Sequence, residues 1–333
     1  MQPTSAHTAA DSLGASTLRR VAVLYNPRSG GRRSRRMAEI EAVTAVLRSA
    51  GIESIVAETR SSAEAGSQAR EAVASGVDAI FVCGGDGTVH DVLQGMVGSA
   101  VPLGIIPQGT ANALAHDRGV PSNAAKAARA ALTAEPLRVA LGKLECNGLD
   151  GNPVTRYFTV TVGIGADASL FYQLTNQQLG HNFKARFGMA AYVIKALQIW
   201  LTQRMPYFEA ELDAGEKARV TELLAVRIRD FGNVLRELAP GASLSRNDLR
   251  LVLFRTHRRL NYLGFVLRGL FGLRVQVPGI EFRDSTRVVC CELEGSASSS
   301  RTYIEADGEL VGCLPATITI VPDALTLLAP RRP

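Results

Sequence analysis

The chain has 333 residues, a net charge of +6 and 46% hydrophobic side chains, which is enough apolar material for two packed domains. No stretch approaches ~18 uninterrupted apolar residues, so we expect no membrane-spanning helix. The short basic run at 32–36 has no interleaved aromatic residues and no recognised module accompanies it, which disfavours nucleic-acid binding. Five cysteines without a CxxC pair indicate reduced thiols and a cytoplasmic protein. Residues 1–19 lack the apolar segment of a secretory signal, and we expect a disordered lead-in there, with a transit peptide as the alternative.

From residue 20 the chain alternates short apolar runs with segments of helical periodicity. A parallel return between strands needs a crossover long enough to hold a helix, so this alternation predicts a doubly wound parallel sheet. Strands are expected at 21–25, 52–58, 79–83 and 102–107, with helices at 34–50, 62–75 and 88–97.

Three polar, glycine-bearing loops follow the first, third and fourth of these strands: NPRSGG (26–31), GGDGT (84–88) and PQGTAN (107–112). The carboxyl ends of parallel strands share one crevice, and glycine-rich turns that open into helices attract anions, most often phosphate. Neither a GxGxxG pattern nor the GK[ST] ending of a P-loop is present. Asp86 would repel a bare phosphate, which favours a nucleotide carried with Mg²⁺.

These motifs resemble the diacylglycerol kinase catalytic-domain family, which also contains sphingosine, ceramide and bacterial lipid kinases. YNPRSGG (25–31) is similar to the first phosphate loop of that family, VCGGDGTVHDVLQG (82–95) to its central signature and PLGIIPQGTANALA (102–115) to its third loop. EADGELVGCLPATITIVPDALTLLAP (305–330) matches near the C-terminus. The resemblance therefore runs from about residue 20 to the end of the chain.

The resemblance implies an N-terminal nucleotide domain and a C-terminal β-sandwich-like domain, with the site between them. Alternating runs after residue 137 agree, since they are typical of antiparallel strands. We expect an α/β protein with a parallel-sheet domain over 20–137 and a mainly antiparallel β-sandwich domain over 138–330, whose last strand, 325–330, returns to the first domain in relatives. The antiparallel strands are expected at 137–145, 155–162, 208–213, 221–228 and 248–254.

The same resemblance implies which residues act. The acceptor hydroxyl must lose a proton as the γ-phosphoryl group arrives, usually to a positioned carboxylate. Asp307 and Glu309 in ADGE are the candidates for this base, and Asp86, which has that role in some relatives, would organise Mg²⁺ and its waters. Asp307-Gly308 is also a strong hairpin-turn dipeptide. The expected nucleotide contacts are Asn26, Ser29, Gly30, Thr59, Gly84, Gly85, Asp86, Gly87, Thr88 and Thr110.

Two departures from the family pattern limit the transfer. Many bacterial relatives have GTxND where this chain has GTANA (109–113), which is more similar to the sphingosine-kinase branch and leaves the lipid open. The segment 244–248 replaces an LDDG-like motif that binds a structural Mg²⁺ in some relatives, so we assign no metal site there.

Two basic, apolar segments, 183–205 and 249–280, are candidates to line the lipid entry. The second contains six arginines and no acid, with Leu260, Leu263, Leu267, Leu270 and Phe271 at helical spacing. This pattern predicts either a helix resting on anionic lipid or a core-packed helix with basic residues toward solvent.

Together these features predict an ATP-dependent, Mg²⁺-requiring kinase that phosphorylates a primary hydroxyl of a diacylglycerol-like or sphingoid lipid. Its expected partners are ATP, the lipid and a peripheral membrane surface, visited from the cytoplasmic side, with no nucleic acid and with a homodimer left open. Two alternatives remain at this point: an NAD kinase-type phosphotransferase and a catalytically silent nucleotide-binding regulator.

Overall fold

The computed structural model describes residues 18–29, 33–176, 198–203, 205–232, 237–273, 275–293 and 301–330. Most of the predicted lead-in, the predicted nucleotide contact Gly30 and most of the basic segment 183–205 lie outside the described residues.

The N-terminal part is a parallel sheet with helices on both faces. Its strands are β1 (Arg20–Tyr25), β2 (Glu53–Glu58), β3 (Ala79–Gly84) and β4 (Leu103–Pro107), and its helices are α1 (Arg33–Ser49), α2 (Ser62–Ala74), α3 (Asp86–Leu93), α4 (Ala113–Asp117) and α5 (Ala124–Thr133). The strand order is β4-β3-β1-β2. Alternation along β1 produces the two faces: Val21 and Val23 pack with α1 and α5, whereas Ala22 and Leu24 pack with α2 and α3. The doubly wound sheet is therefore confirmed.

Helix α3 begins two residues earlier than its sequence pattern predicts and ends four residues earlier. It starts directly after Gly85, which is its N-cap, so Asp86 lies in the first turn. At the other end the chain passes against α2 so closely that a Cβ on Gly95 would lie 1.8 Å from the carbonyl oxygen of Gly66. The glycine-rich loop thus merges directly into the helix N-terminus.

The C-terminal part packs two antiparallel layers around an apolar core. Its described strands are β5 (Pro136–Gly148), β6 (Pro153–Phe158), β7 (Thr161–Gly165), β8 (Phe208–Glu211), β9 (Lys217–Val220), β10 (Glu222–Val226), β11 (Leu249–Phe254), β12 (Ile280–Ser285), β13 (Arg287–Glu292), β14 (Tyr303–Ala306) and β15 (Glu309–Leu328), and its described residues include the helices α6 (Ala166–Asn176) and α7 (Arg259–Phe271). One layer has the order β12-β11-β10-β7-β14, and the other contains β5, β6, β8, β9, β13 and β15. The predicted β-sandwich is confirmed.

The long pair formed by β5 and β15 connects the two parts. It runs from Gly312 opposite Gly148 to Leu328 opposite Pro136, and Leu327 and Leu328 also pair in parallel with β4. The C-terminal strand therefore extends the N-terminal sheet, and the hairpin at its start reaches the carboxyl ends of the parallel strands.

Helix α7 does not follow the predicted core-packed arrangement, in which the leucines face the core and the basic residues face solvent. Tyr262 and Phe265 face the core beside Phe254, and Arg268 is buried under Phe282, while the leucine stripe is exposed. The basic side chain thus lies inside and the apolar stripe outside. Among the described residues no helix is both long and apolar enough to cross a bilayer.

Candidate active site

The three glycine-bearing loops touch one another at the carboxyl edge of the parallel sheet. Asn26 Nδ2 donates to Thr88 Oγ1 at 3.0 Å, and Ser29 Oγ lies 3.2 Å from the same hydroxyl. The second and third loops meet at glycines, since a Cβ on Gly109 would lie 2.7 Å from Gly85 Cα. The crevice expected from sequence is therefore built by direct contact between the loops.

Two glycines of the central loop lie close to other side chains of the crevice. A Cβ on Gly84 would lie 2.5 Å from the Thr88 Cβ, so that position admits no side chain while Thr88 holds the first loop. A Cβ on Gly87 would lie 3.1 Å from Glu309 Oε1, a carboxylate of the other domain. The loop thus leaves room for the approach of Glu309.

The remaining predicted nucleotide contacts lie at the rim of this crevice. Thr59 follows β2 and is buried, and its N–H donates to the Tyr25 carbonyl at 2.8 Å. Thr110 is exposed on the third loop. Gln108 was missed by the sequence analysis: it is buried on the same loop, and neither polar atom of its side chain has a partner among the described residues.

Asp86 links the second loop to the third. The backbone N–H groups of Asn112, Ala113 and Leu114, at the start of α4, lie near its carboxylate and lower its pKa. Burial raises the pKa of Asp86 and outweighs this effect, and the nearby charge of Asp307 raises it further. Asp86 therefore lies in the crevice as a partly buried carboxylate.

Asp307 and Gly308 form the tip of the hairpin between β14 and β15. Their φ angles of 48° and 82° are both positive, and Ala306 pairs with Glu309 across a two-residue turn. The predicted hairpin is confirmed, and it has the geometry that favours Asp-Gly. The two candidate base residues, Asp307 and Glu309, therefore lie on either side of Gly308 in different surroundings.

The carboxylate of Asp307 is saturated with donors. Its Oδ1 accepts from the N–H groups of Val160 at 2.9 Å and Thr161 at 3.0 Å. Its Oδ2 accepts from Thr159 N at 2.9 Å, Thr159 Oγ1 at 3.2 Å and His90 Nδ1 at 3.0 Å. Burial alone would raise the pKa, but the hydrogen bond and charge of His90 and the backbone donors hold the pKa of Asp307 below its ordinary value.

These donors explain why the predicted strand 155–162 is broken. The N–H groups of residues 159–161 turn toward the Asp307 carboxylate, so the chain divides into β6 and β7. The side chain of Asp307 is 2% exposed. It therefore acts as a clamp that holds the hairpin tip against this loop.

His90 contacts the other domain rather than only its own helix. Its ring is 1% exposed, its Nδ1 bonds to Asp307, and its buried Nε2 has no hydrogen-bond partner among the described residues. His90 lies in the quoted signature, but the sequence analysis assigned it no role, because its partner Asp307 is 217 positions away along the chain.

Glu309 has a more open position. Its Oε2 accepts from Arg156 Nη2 at 3.0 Å, and the same guanidinium lies 3.4 Å from Asp91 Oδ1. Burial, followed by the charge of Asp91, raises the pKa of Glu309, while His90 and Arg156 lower it by less. The side chain of Glu309 is 37% exposed, and its Oε1 lies beside Gly87 with no hydrogen-bond partner among the described residues.

The segment 244–248, where some relatives bind a structural Mg²⁺, surrounds a buried arginine here. Arg227 Nη2 donates to the carbonyls of Ala140 and Arg246, each at 3.0 Å, and Nη1 donates to that of Asp248. Burial lowers the pKa of Arg227 to about 10, which still leaves it charged near neutrality. A cation among these carbonyls would repel Mg²⁺, so the residues do not fit that metal.

Comparison with known proteins agrees with this architecture. Residues 20–144 match the diacylglycerol kinase catalytic domain, and residues 160–329 match the YegS C-terminal NAD kinase beta sandwich-like domain. A diacylglycerol kinase of Mycobacterium tuberculosis strain H37Rv is 29% identical over 78% of this chain and 79% of that protein. A diacylglycerol kinase of Bacillus subtilis strain 168 is 25% identical over 90% of this chain and 92% of that protein.

A crystal structure of a diacylglycerol kinase from Bacillus anthracis strain Sterne shares the fold, with a TM-score of 0.67 at 18% identity, covering 94% of this chain and 97% of that one. The two matched domain models together span nearly all of the described residues. The chain belongs to the diacylglycerol kinase catalytic-domain family, in its two-domain form with a YegS-type β-sandwich, and is a phosphotransferase of that family.

Proposed function

We propose that this kinase transfers the γ-phosphoryl group of ATP to a primary hydroxyl of a diacylglycerol-like or sphingoid lipid. The observation that carries the proposal is the approach of the Glu309 carboxylate to Gly87, in the middle of three contacting phosphate-type loops. A base from one domain and an anion-binding crevice from the other meet at a single point, as transfer to an alcohol requires.

Glu309 is the better of the two base candidates. A carboxylate that already accepts five hydrogen bonds in a buried site, as Asp307 does, has little capacity to take a proton, whereas Glu309 has an available oxygen and a raised pKa. The hydroxyl proton passes to Glu309 as the alcohol oxygen bonds to the γ-phosphorus. At the same time the bond between the γ-phosphorus and the oxygen that bridges it to the β-phosphorus breaks. ADP leaves, and Asp307 acts by fixing the hairpin and His90.

The crevice suits Mg²⁺ that arrives with the nucleotide. Such an ion is held mainly by phosphate and water oxygens and needs only one or two carboxylates, and Asp86 supplies one. Among the described residues there is no cluster of three His, Cys, Asp or Glu side chains that would hold a metal without the nucleotide. When bound, the ion neutralises charge on the transferred group.

The test uses radiolabelled ATP with mixed micelles of diacylglycerol, sphingosine or ceramide, and separately with NAD. We expect label in the lipid extract for at least one lipid. Label on NAD would identify the NAD kinase-type alternative, and ATP binding without any labelled product would identify the silent regulator.

A further inference from the structure

One side of helix α3 and its C-cap faces the C-terminal domain. The residues on this side are three or four positions apart, which places them above one another along a helix. They are Gly87, His90, Asp91 and Gln94. The first three lie against Glu309, Asp307 and Arg156, respectively. The fourth, Gln94, contacts the backbone of the other domain instead of a charged side chain.

Gln94 binds both backbone polar groups of Tyr157 in strand β6. Its Nε2 donates to the Tyr157 carbonyl at 2.8 Å, and its Oε1 accepts from the Tyr157 N–H at 2.9 Å. Among the described strands β6 pairs only with β5, so its other edge is open. An antiparallel neighbour would exchange the same two bonds with Tyr157, one donated and one accepted. Gln94 therefore takes the place of a paired strand at this edge.

The end of α3 that carries Gln94 is fixed from its other side by α2. A Cβ on Gly66 would lie 3.4 Å from the Gln94 Cβ, and a Cβ on Gly95 would lie 1.8 Å from the Gly66 carbonyl oxygen. The two glycines thus let α2 and the end of α3 pack backbone against backbone. Gln94 Nε2 also donates to the His90 carbonyl at 3.0 Å, which restricts the side chain. Gln94 is therefore a rigid anchor of the N-terminal domain.

The segment that Gln94 holds carries the donors to both carboxylates of the hairpin. Arg156, the residue before Tyr157, donates to Glu309 at 3.0 Å. Residues 159–161, which begin two positions after Tyr157, donate to Asp307. We propose that Gln94 is a positioning residue, which sets where the Glu309 carboxylate lies relative to the phosphate-type loops. This inference rests on the proposed function, because it takes Glu309 as the group that acts there.

The effect on rate should exceed the effect on stability. Two hydrogen bonds at a partly exposed site contribute modestly to folding, and the domains also share apolar contacts, since Tyr157 and Val160 pack with the core of the first domain. Phosphoryl transfer is more demanding, because a displacement of about 1 Å at the reacting groups can cost roughly 100-fold in rate. A variant of Gln94 should therefore fold with its domains together and its carboxylate misplaced.

Hydrogen–deuterium exchange of the full chain, without nucleotide or lipid, tests the placement. Gln94→Leu keeps the bulk of the side chain and removes its donor and acceptor. Exchange should become about tenfold faster at 156–161 and also in the fully described hairpin 303–312, with which Gln94 forms no hydrogen bond.

Gln68→Leu is the matched control. Gln68 on α2 also binds backbone through both ends of its amide, since its Oε1 accepts from Arg60 N at 2.9 Å and its Nε2 donates to the Glu58 carbonyl at 3.0 Å. Its loss removes an equivalent pair of bonds within the N-terminal domain. Exchange in the hairpin should therefore match wild type in this variant.

Turnover of a lipid that wild type phosphorylates measures the consequence. The kcat per folded molecule should fall about 100-fold in Gln94→Leu, and about tenfold in Gln94→Glu, which keeps the acceptor for the Tyr157 N–H and loses the donor. The affinity for ATP in calorimetry should not change, because the first two loops contact each other without Gln94. A merely structural role would reduce the amount of folded protein and leave kcat per folded molecule unchanged.

Three outcomes would overturn the inference: hairpin exchange in Gln94→Leu that equals wild type, hairpin exchange that rises as much in Gln68→Leu, or wild-type kcat in both Gln94 variants. If Gln94→Leu does not fold, Gln94→Glu supplies both measurements. If wild type phosphorylates no lipid, the proposed function fails, whereas the exchange comparison still decides whether Gln94 places the hairpin.

Discussion

Replacement of Asp307 by asparagine tests whether that residue clamps the hairpin or acts as the base. The asparagine amide can be placed in two orientations, and the less costly one puts its NH₂ group where Oδ2 of Asp307 lies. There the Thr159 hydroxyl oxygen and the His90 Nδ1 atom can accept a hydrogen bond from the NH₂ group instead of donating one. The Thr159 N–H cannot, so one buried donor is left unsatisfied at about 1–3 kcal/mol. The bonds from Val160 and Thr161 also lose their charge assistance, at about 1 kcal/mol each.

The expected destabilisation by Asp307→Asn is therefore about 3–5 kcal/mol, or a fall in Tm on the order of 10 °C. Glu309→Gln should behave oppositely. Its side chain is 37% exposed and loses only the pair with Arg156, which is worth less than about 1 kcal/mol. If Glu309 takes the hydroxyl proton, however, turnover should fall ~10²–10⁴-fold.

The assay combines urea denaturation with the initial rate of lipid phosphorylation per folded molecule, and ATP binding serves as a control for the intact crevice. Asp307→Asn should shift the denaturation midpoint strongly, and Glu309→Gln should shift the rate strongly. If instead Asp307→Asn denatures like wild type but has no turnover, and Glu309→Gln retains the wild-type rate, then Asp307 is the base. The proposed roles of Asp307 as clamp and Glu309 as base would then be wrong.

Three further predictions concern the same site. Because the pKa of Glu309 is raised, the acidic limb of the pH–rate profile, where the rate falls as the pH decreases, should lie at higher pH than for an ordinary glutamate. Asp91→Asn should move this limb to lower pH, and Arg156→Gln should move it to higher pH. An unmoved limb in both variants would contradict the assignment of Glu309 as the base. Gly85→Ala puts a Cβ 3.1 Å from the backbone of the third loop and should weaken ATP binding by about tenfold in calorimetry, whereas wild-type affinity would show that the loops do not grip the nucleotide together. Without nucleotide, EDTA should leave Tm unchanged, because the Arg227 guanidinium occupies the place of a structural metal. Arg227→Met should lower the free energy of unfolding by about 3–5 kcal/mol. A fall in the wild-type Tm with EDTA would instead reveal a structural metal elsewhere.

Local features of the chain predicted the first domain well. Apolar runs and helical periodicity placed β1, α1 and α2 within a residue or two, because hydrophobic spacing and caps such as Ser61 act over a few neighbouring residues. The glycine loops were predicted as one crevice since parallel strands bring their carboxyl ends together. The Asp307-Gly308 turn was equally local, because it depends on the positive φ angles that this dipeptide tolerates.

The sequence by itself thus determined the alternation of strands and helices, the phosphate-type loops and the carboxylates of the hairpin. Only the tertiary structure decided which of the two carboxylates remains available, because the donors that saturate Asp307 come from His90 and residues 159–161, 217 and about 147 positions away. The same holds for the inward packing of Arg268 and for Arg227 within its carbonyls. Hydrogen bonding and burial depend on partners that meet only in the folded chain, whereas periodicity and turn preference are properties of neighbouring residues.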